Sequence, residues 1–146
     1  MRLPFPAIPL AALALAACQA PAERSVEGAW VRLPAASGRP GAAYFTLKGG
    51  AGGTTLTSVE SPAASRAELH EMANDGGVMR MGAVPSIIVP PNGAVTLAPG
   101  GLHVMLFGVP AAFRPGGTLP LTLRFADGGN LTVEAKLVGA GDPAPQ

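Results

Sequence analysis

His70-Glu-Met-Ala-Asn-Asp-Gly-Gly-Val-Met-Arg-Met81 is the stretch that decides how this chain folds. Two β-capable runs flank Asn74-Asp75-Gly76-Gly77, and Asp-Gly between such runs is among the strongest short-range signals for a tight hairpin. With Asp75 and Gly76 as the loop, the antiparallel register sets Met72 opposite Met79, Glu71 opposite Arg80 and His70 opposite Met81. His70 and Met81 would then hold their Cβ atoms roughly 5 Å apart. Met72 and Met79 would fill the next rung on the same face, and Glu71 and Arg80 would form a charge pair on the other. A loop of Gly76 and Gly77 would instead pair Met72 with Met81. The first register satisfies charges and sulfurs together, and it is the one expected.

Working outward, the rest of the chain reads as strands of the same kind. Val26 to Leu33, Ala42 to Lys48 and Thr54 to Glu60 precede the hairpin arms at Ser65 to Ala73 and Val78 to Val84. Ser86 to Val89, Ala94 to Leu97, Leu102 to Val109, Leu119 to Ala126 and Leu131 to Val138 follow. No useful window keeps a helical period free of Gly or Pro. Many short strands with turn signals every eight to twelve residues indicate an all-β sandwich or barrel. Trp30, Tyr44 and Phe45 are expected to pack in its core or along an edge. Asp127-Gly128-Gly129-Asn130 reads as a second hairpin turn.

The chain has 146 residues, enough for a single hydrophobic core. Its formal charge is +1, from ten basic and nine acidic residues. No basic stripe with interleaved aromatics is present, so nucleic acid is not expected as a partner. Twenty glycines and sixteen prolines fall between apolar runs, where they serve as turn residues. At the N-terminus Arg2 precedes a short apolar run, Leu10 to Ala17, too short to span a bilayer and of the kind found in secretory signals. The single cysteine follows in Leu15-Ala16-Ala17-Cys18, which resembles the lipobox of bacterial lipoproteins; the alternative is ordinary cleavage near Ala20 or Ala22, which would discard Cys18. The expected organisation is a signal peptide over 1–17, a lipid-anchor cysteine and tether over 18–25, one β domain over 26–138 and a short flexible tail over 139–146.

Soft-metal chemistry concentrates in one segment. Both histidines, His70 and His103, lie between 70 and 105, as do all four methionines other than Met1: Met72, Met79, Met81 and Met105. His103 and Met105 are two apart on one strand and share a face, leaving Leu102, Val104 and Leu106 for the other. Two imidazoles and two thioethers suit monovalent copper better than zinc, calcium or magnesium. They carry no negative charge, and thioethers escape the disulfide capture that threatens exposed thiols in an oxidising compartment. Because only neutral imidazole coordinates, affinity should fall as pH drops through the histidine range. A blue-copper electron carrier would need a thiolate, which this domain lacks. No Ser, His and acid grouping suggests an enzyme, and Glu68, Glu71 and Asp75 read as solvating the hairpin rim.

His70, ten residues, Met81, twenty-one residues, His103, one residue, Met105 is the spacing that these ligands take. It resembles the signature of the periplasmic copper chaperones of the PCu(A)C family. The likeness extends to Ala29-Trp-Val-Arg32, Ala43-Tyr-Phe45 and Pro99-Gly-Gly-Leu-His-Val-Met-Leu106, and so covers about Val26 to Val138. The resemblance implies a cupredoxin-like Greek-key β-sandwich or barrel that binds one Cu(I) through His70, Met81, His103 and Met105. Met72 and Met79 are secondary candidates. It also implies a periplasmic, non-catalytic carrier, and the lipobox likeness adds a membrane anchor through Cys18. Such a carrier passes copper by ligand exchange to a cytochrome c oxidase subunit or its assembly factor. Some members carry a His- and Met-rich tail that binds Cu(II), but Gly139 to Gln146 contains neither residue. The competing reading is a lipid-anchored extracytoplasmic β-sandwich binding module whose His and Met residues only pack.

Overall fold

A computed structural model describes residues 20–146; Cys18 and the apolar leader lie outside them. Ten strands run in chain order: β1 Ser25–Arg32, β2 Gly41–Lys48, β3 Thr54–Glu60, β4 Arg66–Asp75, β5 Val78–Ala83, β6 Ile87–Val89, β7 Ala94–Leu97, β8 Leu102–Phe107, β9 Thr118–Phe125 and β10 Asn130–Val138. No helix occurs among the described residues. The strands form one hydrogen-bonded network in the order β5-β4-β8-β2-β1-β10-β9-β3-β6, with β7 also pairing with β2. β1 and β10 run parallel. The other pairings are antiparallel.

A single apolar cluster collects side chains from every strand except β5. A network of ten strands can share one core only by folding over on itself, which gives the expected all-β, cupredoxin-like architecture. Strand alternation supplies the inward face: Leu119, Leu121, Leu123 and Phe125 of β9 and Ala135 and Leu137 of β10 are all buried. In β1 an extra residue between Glu27 and Trp30 makes a bulge, with Gly28 at φ 61°. That insertion switches the parity of the strand, so Val26 and Val31, an odd number apart, both pack against the core. Trp30 and Tyr44 are buried side by side, ring centroids 4.5 Å apart.

The β4–β5 hairpin differs from the expected register. Met72 pairs with Met81, Asn74 with Met79 and Asp75 with Val78, so His70 stands opposite Ala83 rather than Met81. The reason is local: the two loop residues are Gly76 and Gly77, at φ 60° and 89°. A two-residue turn of the type favoured in hairpins needs positive φ at both positions. Two glycines meet that demand without a Cβ to place, whereas Asp75, though it tolerates left-handed backbone better than most residues, would still have one. The amide of Gly77 also donates to Asn74 Oδ1 at 2.8 Å. The Glu71 to Arg80 pair is lost with the register; Arg80 lies opposite Ala73 and reaches Asp75 instead, at 3.5 Å.

Cross-strand backbone NOEs should therefore join Met72 to Met81 and Asn74 to Met79. Contacts joining the backbones of His70 and Met81 would mean that the other register is populated. Gly77→Ala should weaken the hairpin by about 1 kcal/mol, read as faster amide exchange in β5. Elsewhere, Arg24 donates to Asp127 at 2.7 Å, and Gly129 N–H to the same carboxylate at 2.9 Å. The arginine hydrogen bond first, then the backbone one, hold the Asp127 carboxyl below the usual carboxylate range. A depressed folded pKa gives stability that is present above the unfolded value, about 3.9, and lost as pH falls through the folded one. Asp127→Asn should accordingly flatten the acid limb of a denaturation midpoint plotted against pH.

Candidate metal centre

Burial fixes which way the site faces. Leu69, Val104 and Leu106 are buried in the core. Leu69 and Val104 are direct cross-strand partners, and His70 pairs with His103 one residue on. Strand alternation therefore turns both histidines to the other side of the sheet, with Met105 opposite Glu68. Met81 shares this side because its partner Met72 is two residues from His70 on β4. The observed hairpin register is two residues from the expected one, and a two-residue slip preserves parity. Met79 also keeps this side, nearer the hairpin tip, but it does not line the recess formed below.

Met72, Met81, His103 and Met105 line one open recess of about 370 Å³, with Arg32 and Tyr44 among the other residues of its wall. His70 lies beside rather than on that wall, its ring centroid 5.9 Å from that of His103. An ion about 2 Å from a ring nitrogen sits roughly 3 Å from that ring's centre. Two imidazoles with centres about 6 Å apart are thus within the span of one ion. His103 is buried and Met81 is half exposed, at 7% and 51%. The imidazole is anchored, while the methionine that meets it sits on an exposed strand.

The protonation of His103 follows from its partners. Its Nδ1 lies 2.9 Å from the carbonyl of Gly101, which can only accept, so Nδ1 carries the proton of the neutral ring. Nε2 is then a lone pair, and it lies 3.2 Å from Met81 Sδ. In that neutral tautomer two electron-pair donors face each other across the recess, a pairing that a soft cation could bridge. His70 Nε2 lies 2.9 Å from Glu68 Oε2, and its Nδ1 is a buried polar atom with no hydrogen-bond partner. Among the described residues no three His, Cys, Asp or Glu side chains cluster as a metal site. Thioethers are accordingly needed to complete one.

Three neighbours were not legible as parts of the site. Glu68, expected to solvate the rim, instead bridges His70 and Arg66, whose Nε lies 2.7 Å from its other oxygen. The His70 hydrogen bond first, with Arg66 contributing, holds its carboxyl below the usual range. Its position two residues before His70, on the same face, was the available signal. Arg32 stacks near Trp30 and Tyr44, at 5.1 and 6.0 Å from their ring centres, and its Nε is buried without a partner. Burial raises the Tyr44 hydroxyl pKa against the opposing effect of Arg32. Their presence at the recess depends on the β8-β2-β1 strand order, which sequence spacing does not carry.

Comparison with known proteins gives a consistent picture. The family model described as "Putative lipoprotein LpqE-like" matches residues 25–137. A curated relative from Leifsonia xyli subsp. xyli, described as "Putative lipoprotein Lxx21020", is 36% identical over 104 residues, 70% of this chain. The match spans 62% of that relative's length. Among solved structures, apo-DR1885 from Deinococcus radiodurans is 34% identical, covering 95% of this chain and 97% of that one, with a TM-score of 0.60. Its Cu(I) form is 32% identical, covering 83% and 80%, with a TM-score of 0.63. The copper-bound PCuAC domain of PmoF2 shares the fold at a TM-score of 0.66 and 24% identity, covering 83% and 97%.

Proposed function

The chain belongs to the LpqE-like lipoprotein family, and from that premise we propose that it is an extracytoplasmic chaperone that binds one Cu(I) and hands it to a partner protein. The observation that carries this reading is the His103 Nε2 lone pair facing the Met81 sulfur in a recess shared with Met72 and Met105. The ligand set is His70, Met81, His103 and Met105, with Met72 the nearest additional sulfur. Copper is cargo here, not a reaction partner, and the proposal assigns the chain no catalysis. The 32% identical DR1885, whose solved structure holds Cu(I), supports the choice of metal.

Neutral donors favour the monovalent ion, because the divalent one gains more from anionic ligands. The recess is open, so an acceptor's own ligand can approach before release is complete. Met81, on an exposed strand, yields first, and His103, held by Gly101, yields late. We place the chain outside the cytoplasm, in the periplasm where one exists, with residues 1–17 as signal peptide and Cys18 as lipid anchor. Residues 18–25 form the tether, 26–138 the copper domain and 139–146 the tail. The acceptor is a cytochrome c oxidase subunit or its assembly factor, an assignment that rests on the PCu(A)C resemblance alone.

A Cu(I) titration of the 20–146 domain against a competing chelator should give one ion per chain, with X-ray absorption showing both sulfur and nitrogen scatterers. His103→Ala and Met105→Leu should each weaken binding by at least the roughly 10- to 100-fold typical of losing a supporting residue. Unchanged affinity in both variants would leave the histidines and methionines as packing residues and favour a lipid-anchored binding module.

A further inference from the structure

The two histidines are held by opposite ring nitrogens, and the difference has chemical content. In His103 the Nδ1 proton is committed to a backbone carbonyl. In His70 it is Nε2 that meets an acceptor, the carboxylate of Glu68 at 2.9 Å. An ionised carboxylate can only accept, so the proton of the neutral His70 ring resides on Nε2. Nδ1 is left as a lone pair, buried and without any partner. Buried nitrogens without a partner are uncommon and call for a cause.

Glu68 is itself fixed. Its second oxygen accepts from Arg66 Nε at 2.7 Å, and the Arg66 guanidinium lies 4.1 Å from the centre of the Phe107 ring. Arg66 and Phe107 are direct cross-strand partners, as are Glu68 and Met105. A chain of contacts thus runs from β8 through Arg66 and Glu68 to the His70 ring, all on strands whose register the core enforces. A carboxylate that takes the distal proton of a ligating imidazole sets its tautomer, its orientation and its basicity.

We propose that Glu68 is the positioning residue for His70: it holds the Nε2 proton and thereby commits Nδ1 to the metal. The two imidazoles then grip one Cu(I) through unlike nitrogens, Nδ1 of His70 and Nε2 of His103. This rests on the copper reading above, but its first half concerns the apo protein alone.

The test is a long-range proton–nitrogen correlation spectrum of the histidine rings, in the apo domain and with one equivalent of Cu(I). In the apo form His70 should show a protonated Nε2 and a bare Nδ1, and His103 the reverse. Adding Cu(I) should move the bare nitrogen of each ring and leave the protonated one protonated. Glu68→Ala should convert His70 to a mixture of tautomers, leave His103 unchanged, and weaken Cu(I) binding by about 10- to 100-fold. Glu68→Gln, which retains an acceptor oxygen, should restore most of the tautomer preference. If Cu(I) binds with His70 losing its Nε2 proton, or if Glu68→Ala leaves tautomer and affinity unchanged, the positioning role is wrong while the chaperone reading stands. If wild-type protein takes up no Cu(I), the chaperone reading fails and the metal-bound half of this inference falls with it.

Discussion

The pairing of β4 with β8 is the constraint from which the candidate site follows. Leu69, Val104 and Leu106 lie in the core, and burying an aliphatic side chain contributes roughly 1.5–3 kcal/mol each. A one-residue slip of β4 would turn Leu69 outward and His70 into the apolar interior, and one of β8 would do the same to Val104 and Leu106 and to His103 and Met105. An unpaired imidazole there would lose its hydrogen bonds as well. Hydrophobic burial on one side of the sheet therefore holds the ligand residues on the other, independently of any ion. The strands that carry these side chains are thus ordered by the core itself.

That separation of duties explains what could be read in the sequence. Alternation of apolar and polar residues marks strands directly, and every expected strand has a counterpart within a few residues of its observed limits. The side-chain face of each His and Met was legible for the same reason, since parity survives any two-residue shift. The hairpin register was not, because two weak preferences competed. Pairing Glu71 with Arg80 on the surface is worth no more than about 1 kcal/mol. The backbone at Gly76 and Gly77 outweighs it, since both adopt conformations that a side chain resists. Arg32 and Tyr44 reach the recess through strands distant in sequence, and their place there follows from sheet order alone.

His103 is anchored by a core strand and a backbone carbonyl, and His70 by a carboxylate braced on an arginine and a phenylalanine. Met81 rests on β5, every residue of which is exposed, and the apolar cluster contains no side chain from that strand. The donors thus differ in stiffness as well as in element. Thioether side chains have several rotatable bonds and adapt to varied geometry, while the imidazoles here have little freedom. On the chaperone reading, an acceptor approaching the open side meets the loose sulfur first. It can replace that sulfur without displacing the buried nitrogens, so the ion need not pass through water.

The same geometry bears on the charge of the ion. Arg32 lines the recess, one of its guanidinium nitrogens is buried without a partner, and no carboxylate forms a salt bridge with it among the described residues. A fixed positive charge beside neutral ligands opposes a divalent ion about twice as strongly as a monovalent one, since the Coulomb energy scales with the product of the charges. Glu68, the carboxylate nearest the histidines, is already neutralised by Arg66 and so offers a second positive charge little compensation. Ligand softness and local charge therefore point the same way, toward an ion of single charge held by sulfur and nitrogen. An added carboxylate at the recess wall would reverse the second preference without touching the first.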